Sequence, residues 1–280
     1  MKFKSLKNNL IYKVVLLVAM CSLLGFFFNP SFYATGGETV NINSAAAFSQ
    51  YALEYYGGSH NPDDVLVIDA PSIIDENFIS LGTSDRPFSG TIKVSTINAD
   101  TFVLFNSPLF DYVSTDAKII DMNGDSYSFK IIRALERIND PGDDYASYVQ
   151  SSGALFANHV TMGTGSANWS VELLSHSTLT NPLTTEASSF EGVIGDIASG
   201  ASVSINFNNT SSLNVSGSSS IGLICGTVNA GATLEIATSG SASGISVSTT
   251  SGDSGGLVGV MNTGSTLKFN SINNSGVTSV

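Results

Sequence analysis

Beyond residue 34 the chain keeps one cysteine, and beyond Pro182 it has no proline at all. A single thiol in an exported chain forms no internal disulfide, so stability must come from packing. Cys225, set between Ile224 and Gly226, reads as a small buried hydrophobe rather than a reactive thiol. Basic residues are scarce as well: eleven Lys and Arg stand against twenty-three Asp and Glu, for a formal charge of −12. Lys2, Lys4, Lys7 and Lys13 fall in the opening segment, so the rest of the chain is more acidic still. Such a surface repels phosphate backbones, which excludes a nucleic-acid partner.

The early lysines precede an apolar run, Val14 to Phe28, that Asn29-Pro30 ends. That order describes a secretory signal peptide over residues 1–34, cleaved after Ala34. The alternative is a signal anchor, because Ile11 to Phe28 nearly reaches spanning length if Lys13 snorkels. Met20 is too large for lipoprotein processing at Cys21. The expected location is extracellular or on the cell surface.

One phrase is written three times near the end: "EGVIGDIASGASVSINF", "GLICGTVNAGATLEIAT" and "GGLVGVMNTGSTLKFNS". Gly195, Gly226 and Gly259 coincide, as do Gly200, Gly231 and Gly264. The apolar sets Ile197/Val228/Met261, Val203/Leu234/Leu267 and Ile205/Ile236/Phe269 coincide too. A period of about thirty residues marks a stacked repeat architecture. Within "SVSINF", Val203, Ile205 and Phe207 alternate with Ser202, Ser204 and Asn206, as in a strand with one buried face. Further strands follow at "SLNVSG" and "GISVSTT", so each repeat holds about three short strands. No repeat buries enough to offset its own backbone entropy, and stacking must supply the rest.

Two weaker copies lie upstream. In "SPLFDYVSTDAKIIDM", Asp111 and Asp116 take the glycine positions and Val113 and Ile119 the apolar ones. "SGALFANHVTMGTGSANWSVEL" fits with an insertion, placing Ala157 at the glycine position and Trp169 and Val171 in the strand. Between them "KIIRALERI" predicts a helical turn or two. Nearer the start, Ser44 caps a helix to Tyr56, with Phe48, Tyr51, Ala52 and Tyr55 on one face and Gly57-Gly58 stopping it. That helix suits the open end of a stack, which would otherwise expose a sheet edge. The expected fold is all-β, a parallel β-solenoid with a short N-terminal capping helix. Residues 35–100 form the cap with its opening strands and residues 101–280 the repeats, which stop in mid-repeat at Val277 to Val280. The remainder of a longer chain or a partner is expected to cover that end.

"GGLVGVMNTGSTLKF" resembles the glycine–leucine–x–glycine (GLUG) repeats of bacterial surface proteins, and "FISLGTSDRPFSG", Phe78 to Gly90, resembles a Gly-Thr loop leading to Pro-Phe-x-Gly in that family. The family's Asp-Gly-x-Gly turn after Gly90 is absent. The resemblance implies a right-handed parallel β-helix on an exported, adhesin-like protein. It assigns no catalytic residue.

Gly252-Asp253-Ser254-Gly255-Gly256 spells the nucleophile motif of trypsin-like proteases, but no histidine stands in the matching context and the disulfides are missing. A serine protease is excluded. A polysaccharide lyase or hydrolase needs paired carboxylates or a base beside a cation. From Glu191 onward the candidates are Glu191, Asp196, Glu235, Asp253 and Lys268, none at a shared repeat position. "DMNGDS" offers a weak calcium candidate in Asp121, Asn123 and Asp125, although Ile132 stands where a calcium loop needs Glu. Asn168 and Asn214 lie in glycosylation sequons. Ser202, Thr233 and Thr266 coincide, and so do Asn229 and Asn262, predicting a polar ladder along one flank. The expected activity is binding, adhesion or display toward a host or cell-wall ligand such as a glycan, without catalysis or cofactor. The alternatives are a carbohydrate-active enzyme and a purely structural stalk.

Overall fold

The computed structural model describes residues 37–68, 79–95, 103–104, 108–132, 154–174, 183–185, 192–209, 213–217, 222–238, 245–249 and 255–271. Among them no helix is long and apolar enough to cross a membrane. The expected signal peptide, Arg133 and Arg137, Gly252 to Ser254, and Val277 to Val280 lie outside the described residues.

Strand β1 (Thr39–Ile42) leads into helix α1 (Ala45–Tyr56), and β2 (Val65–Ile68) and β3 (Thr91–Val94) follow. The Ser44 Oγ accepts the Ala47 N–H at 3.0 Å, and the Gly57 N–H closes the last turn on the Leu53 carbonyl. Phe48, Tyr51, Ala52 and Tyr55 are buried on one face, as their spacing predicts. The chain continues through β4 (Val103–Leu104), β5 (Phe110–Ser114), β6 (Lys118–Asp121), β7 (Ser128–Ile132), β8 (Ala157–Thr161), β9 (Ala167–Leu174) and β10 (Leu183–Thr185). The threefold phrase then supplies β11 (Ile194–Ile197), β12 (Ser202–Asn209) and β13 (Leu213–Gly217), next β14 (Cys225–Val228), β15 (Thr233–Thr238) and β16 (Ile245–Thr249), and last β17 (Val258–Met261) and β18 (Thr266–Ser271).

These strands form four sheets, ordered β1-β2-β3-β6, β17-β14-β11-β8-β5, β18-β15-β12-β9-β7-β4 and β10-β13-β16. Every pairing within them is parallel. The register is the one the repeats predict. Ile197 pairs with Val228 and Val228 with Met261; Val203 pairs with Leu234 and Leu234 with Leu267. At the corner after each first strand, Gly200, Gly231 and Gly264 adopt φ of 76°, 69° and 73°, a region open chiefly to glycine.

The core changes character along the stack. Its later part is aliphatic: Ile197, Val203, Ile205, Val228, Leu234 and Ile236 are buried. Its earlier part is an aromatic column running from Tyr55 to Phe88, Phe110, Phe156 and Trp169, with successive ring centroids 6.2, 5.9, 5.5 and 5.6 Å apart. The Trp169 indole N–H donates to the Ala117 carbonyl at 3.1 Å, so the largest of these side chains is also satisfied. Burial fades in the last phrase. Met261 is 43 % exposed and Phe269 40 %, where their counterparts Val228 and Ile236 are fully buried. No further strand covers them among the described residues.

The weaker copies depart from expectation in three places. The residue opposite Gly195 is Asn158 rather than Ala157, because Ala157 pairs with Ile194 and His159 with Asp196. Ile119 pairs with Ile92 of β3 instead of standing in line with Val203, since the Asp121–Asp125 turn splits what later repeats make one strand. Past that turn β7 resumes alongside β9, with Phe129 opposite Val171. Lys130 to Ile132, expected in a helical turn, belong to β7.

Trp169→Ala should lower unfolding free energy by about 3–5 kcal/mol, the usual cost of removing a large buried aromatic ring. Leu53→Ala, at a side chain 51 % exposed, should shift it by less than about 0.5 kcal/mol. Urea titration followed by circular dichroism measures both.

Candidate functional site

Parallel strands paired without a slip put like residues above one another at the strand spacing of about 4.8 Å. Ser202 therefore pairs with Thr233 and Thr233 with Thr266, so the three predicted hydroxyls form one row. At the preceding corner the Asn262 Nδ2 donates to the Asn229 Oδ1 at 3.0 Å. Asn262 and Thr266 are exposed, while Ser202, Asn229 and Thr233 are half-buried. The five predicted ladder residues are thus brought together along one corner. Their hydroxyls and amides both donate and accept, a combination that matches polyhydroxylated ligands.

In the earlier repeats the same corner is rebuilt. The register between β8 and β11 and between β9 and β12 leaves one more residue between Val160 and Ala167 than between Ile197 and Val203. The extra length carries backbone groups that need partners. Asp116 Oδ1 accepts the Thr164 and Gly165 N–H groups at 3.0 and 2.7 Å and the Thr164 hydroxyl at 3.0 Å. The Thr115 hydroxyl donates to the Gly165 carbonyl at 2.7 Å and accepts the Gly163 N–H at 2.9 Å. The Thr164 amide bond, aided by the Gly165 amide and the Thr164 and Ser114 hydroxyls, holds the Asp116 carboxyl below the ordinary carboxylate range, against a smaller opposing effect of burial.

Beside this corner a cleft of about 380 Å³ opens, with Asp116, Lys118, Ile120, Ser126, Ser166 and Asn168 among its lining residues. Asp121, Asn123 and Asp125 stand in the adjoining turn. Asp121 Oδ1 accepts the N–H groups of Asn123 and Asp125 at 2.8 and 2.9 Å, and Gly124 at φ 93° completes the reversal. The Asp121 carboxylate thus closes its own turn, an arrangement common to Asp in loops. Among the described residues no group of three His, Cys, Asp or Glu is placed to hold a metal ion.

Two groupings were not expected. Along the second sheet Tyr112, His159 and Asp196 are in register. The His159 Nδ1 meets the Asp196 carboxylate, and the imidazole stacks on Tyr112 with centroids 4.3 Å apart and planes at 25°. The signal was present in the alignment of "HV" with "DI", which matching glycine to Ala157 conceals. The second grouping anchors the helix. Buried Asp64 accepts the Tyr51 hydroxyl at 3.0 Å and the Glu38 N–H at 2.8 Å. His60 lies 3.0 Å from Glu54 and 3.4 Å from Asp64, its ring centroid 4.2 Å from that of Tyr51 with the planes tilted by 30°. Arg86 donates to the carbonyls of Tyr55 and His60 and lies over the Tyr55 ring at 4.9 Å. Burial first, then the Asp64 charge, raises the Tyr51 phenol far above its ordinary value. These residues fasten α1 to the strands beneath it.

Cys225 is buried, as its apolar setting predicts. Asn168 of its sequon is exposed, and the side chain of Asn214 lies outside the described residues.

Asp116→Asn should lower stability by about 1 kcal/mol at neutral pH, because charge-assisted bonds at a partly exposed corner become neutral ones. A carboxyl whose folded-state value is depressed contributes above its unfolded value and loses that contribution as pH falls through the folded one. The melting temperatures of the two proteins should therefore differ at neutral pH and converge as pH drops below the ordinary carboxylate range, as calorimetry against pH will register.

No protein-family model, curated protein or solved structure matches the chain.

Proposed function

We propose that the four sheets are faces of one right-handed parallel β-helix, and that the chain is an exported cell-surface module acting by binding or display toward a glycan. The observation that carries this reading is the corner row in which Ser202, Thr233 and Thr266 stand in register beside the bonded Asn229–Asn262 amides. A periodic ligand meets there a periodic set of donors and acceptors with little charge among them. The likeness of "GGLVGVMNTGSTLKF" to GLUG repeats supports the same setting, an adhesin-like protein with a host or cell-wall ligand. The signal-peptide pattern of residues 1–34 supports export.

A second reading rests on one specific observation. The His159–Asp196 pair, stacked on Tyr112, joins an imidazole to a carboxylate on the second sheet, which is the pairing general acid–base chemistry uses. In that reading the protein is a polysaccharide lyase or hydrolase.

A glycan array probed with the chain lacking residues 1–34 should retain neutral or weakly charged repeating saccharides. The double substitution Thr233→Val, Thr266→Val should weaken retention about threefold to tenfold, as expected for one or two lost hydrogen bonds. No retained glycan would leave a structural stalk. Release of reducing or unsaturated ends from pectin-like polymers, abolished by His159→Ala, would favour the enzyme.

A further inference from the structure

We propose that the ligand is a neutral, extended β-1,4-linked polysaccharide that runs across the strands over two rows of side chains and seats its last sugar in the cleft at Ser166 and Asn168; this deepens the glycan reading and rests on it. The hydroxyl row is longer than its three repeat members. Ala167 pairs with Val203, so Ser166 precedes the one as Ser202 precedes the other, and the row reads Ser166, Ser202, Thr233, Thr266. Two residues further along each strand, and so on the same face, a second row reads Asn168, Ser204, Glu235, Lys268. The side chains of Ser166, Asn168, Ser202, Ser204, Thr233 and Thr266 make no hydrogen bond among the described residues. Those of Ser44, Ser80, Ser89, Thr115 and Thr164 are all engaged. Groups free to bind a ligand are thus gathered in these rows and repeat at the strand spacing of about 4.8 Å.

An extended β-1,4-linked chain advances per sugar by nearly that spacing, whereas an α-1,4-linked chain coils away from a straight row. Successive rings of the extended chain turn opposite edges to the protein. Hydroxyls both donate and accept, so each layer can answer either edge. Charge selects against acids. Glu235 and Lys268 oppose each other on neighbouring strands and leave the second row without net charge. At the cleft Asp116 is ionised, Asp121 and Asp125 stand in the adjoining turn, and Lys118 is the one cation in the lining. Acidic polymers are repelled there and neutral ones are not. Both rows stop at the cleft, because β7 first pairs at Ser128, opposite Ser170, and the Asp121–Asp125 turn precedes it. Ser166 and Asn168 begin the rows and line the cleft with Ile120 and Ser126. A ring seated there meets an apolar side chain, two hydroxyls and an amide. The volume, about 380 Å³, lies within the range of small-molecule sites.

Gly36–Val280 is one compact unit, so the chain lacking residues 1–34 serves for isothermal titration. Two matched pairs test the assignment: cellohexaose against the α-linked maltohexaose, and mannohexaose against the β-1,4-linked acid hexamannuronate. In each pair the neutral β-linked hexaose should bind about tenfold more tightly than its counterpart. Ser204→Ala, in the second row, and Asn168→Ala and Ser126→Ala, at the cleft, should each weaken the bound hexaose about threefold to tenfold. Their melting temperatures should not change, since none of the three side chains has a hydrogen bond to lose. Maltohexaose binding as well as cellohexaose overturns the extended chain, and hexamannuronate binding as well as mannohexaose overturns the charge selection. If Thr233→Val, Thr266→Val weakens the hexaose while Asn168→Ala and Ser126→Ala do not, the ligand stays on the corner and the cleft assignment falls. Array retention confined to α-linked or acidic glycans overturns this inference alone, whereas no retention of any glycan overturns the glycan reading as well.

Discussion

Main-chain pairing between parallel strands one repeat apart is the constraint on which everything else here depends. A strand in such a sheet cannot be satisfied by its own hairpin; its N–H and C=O groups find partners only in the repeats before and after. Inward residues must then agree in register across repeats, because a slip by one residue turns each side chain to the opposite face. Val203, Leu234 and Leu267 obey that rule, as do Ile205, Ile236 and Phe269. Differences in repeat length must be absorbed at the corners. The additional residue between Val160 and Ala167 is taken up there, and Asp116 supplies the acceptors for the exposed amides. The later repeats need no such device, since glycine at positive φ turns their corners unaided.

The same rule explains why the core is built in two ways. Where the phrase repeats closely, branched aliphatic residues fill equal spaces in successive layers. Where it does not, a column of aromatic rings fills unequal ones, and Trp169 reaches across the split made by the Asp121–Asp125 turn to bond Ala117. At the start of the stack α1 lays Phe48, Tyr51 and Tyr55 into the core, and Asp64 fixes it from beneath. The helix and the column are continuous through the Tyr55–Phe88 contact, so the cap and the first repeats share one core.

Much of this was legible in the chain. The α1 face, the runs at Val65–Ile68 and Thr91–Val94, the three strands of the first two late repeats, the two described strands of the last and the ladder residues follow from periodicity alone, since stacked like residues leave a like imprint. What stayed hidden follows from substitution of one physical device for another. Asn158 takes a glycine position and compensates by bonding Ala154 and Asp111, so a search for glycine settles one residue away. That shift concealed the pairing of His159 with Asp196. Ile119 was misplaced for a related reason: its local sequence looks like a repeat strand, and only the pairing with Ile92 shows that it belongs to the first sheet.

The division of labour between core and corner also bears on how such a chain acquires specificity. Inward positions answer to neighbours on both sides, so a change at Ile205 or Val228 disturbs three layers at once. Corner side chains answer to fewer constraints. One corner carries hydroxyls and paired amides in Ser202, Thr233, Thr266, Asn229 and Asn262; its earlier counterpart carries Asp116, with its bonds to Thr164 and Gly165. A uniform row presents the same groups at every layer, whereas the Asp116 corner differs from those that follow it. The hydroxyl row and the Asp116-bonded corner are two versions of the same turn, and the sheets tolerate both because neither alters the inward register.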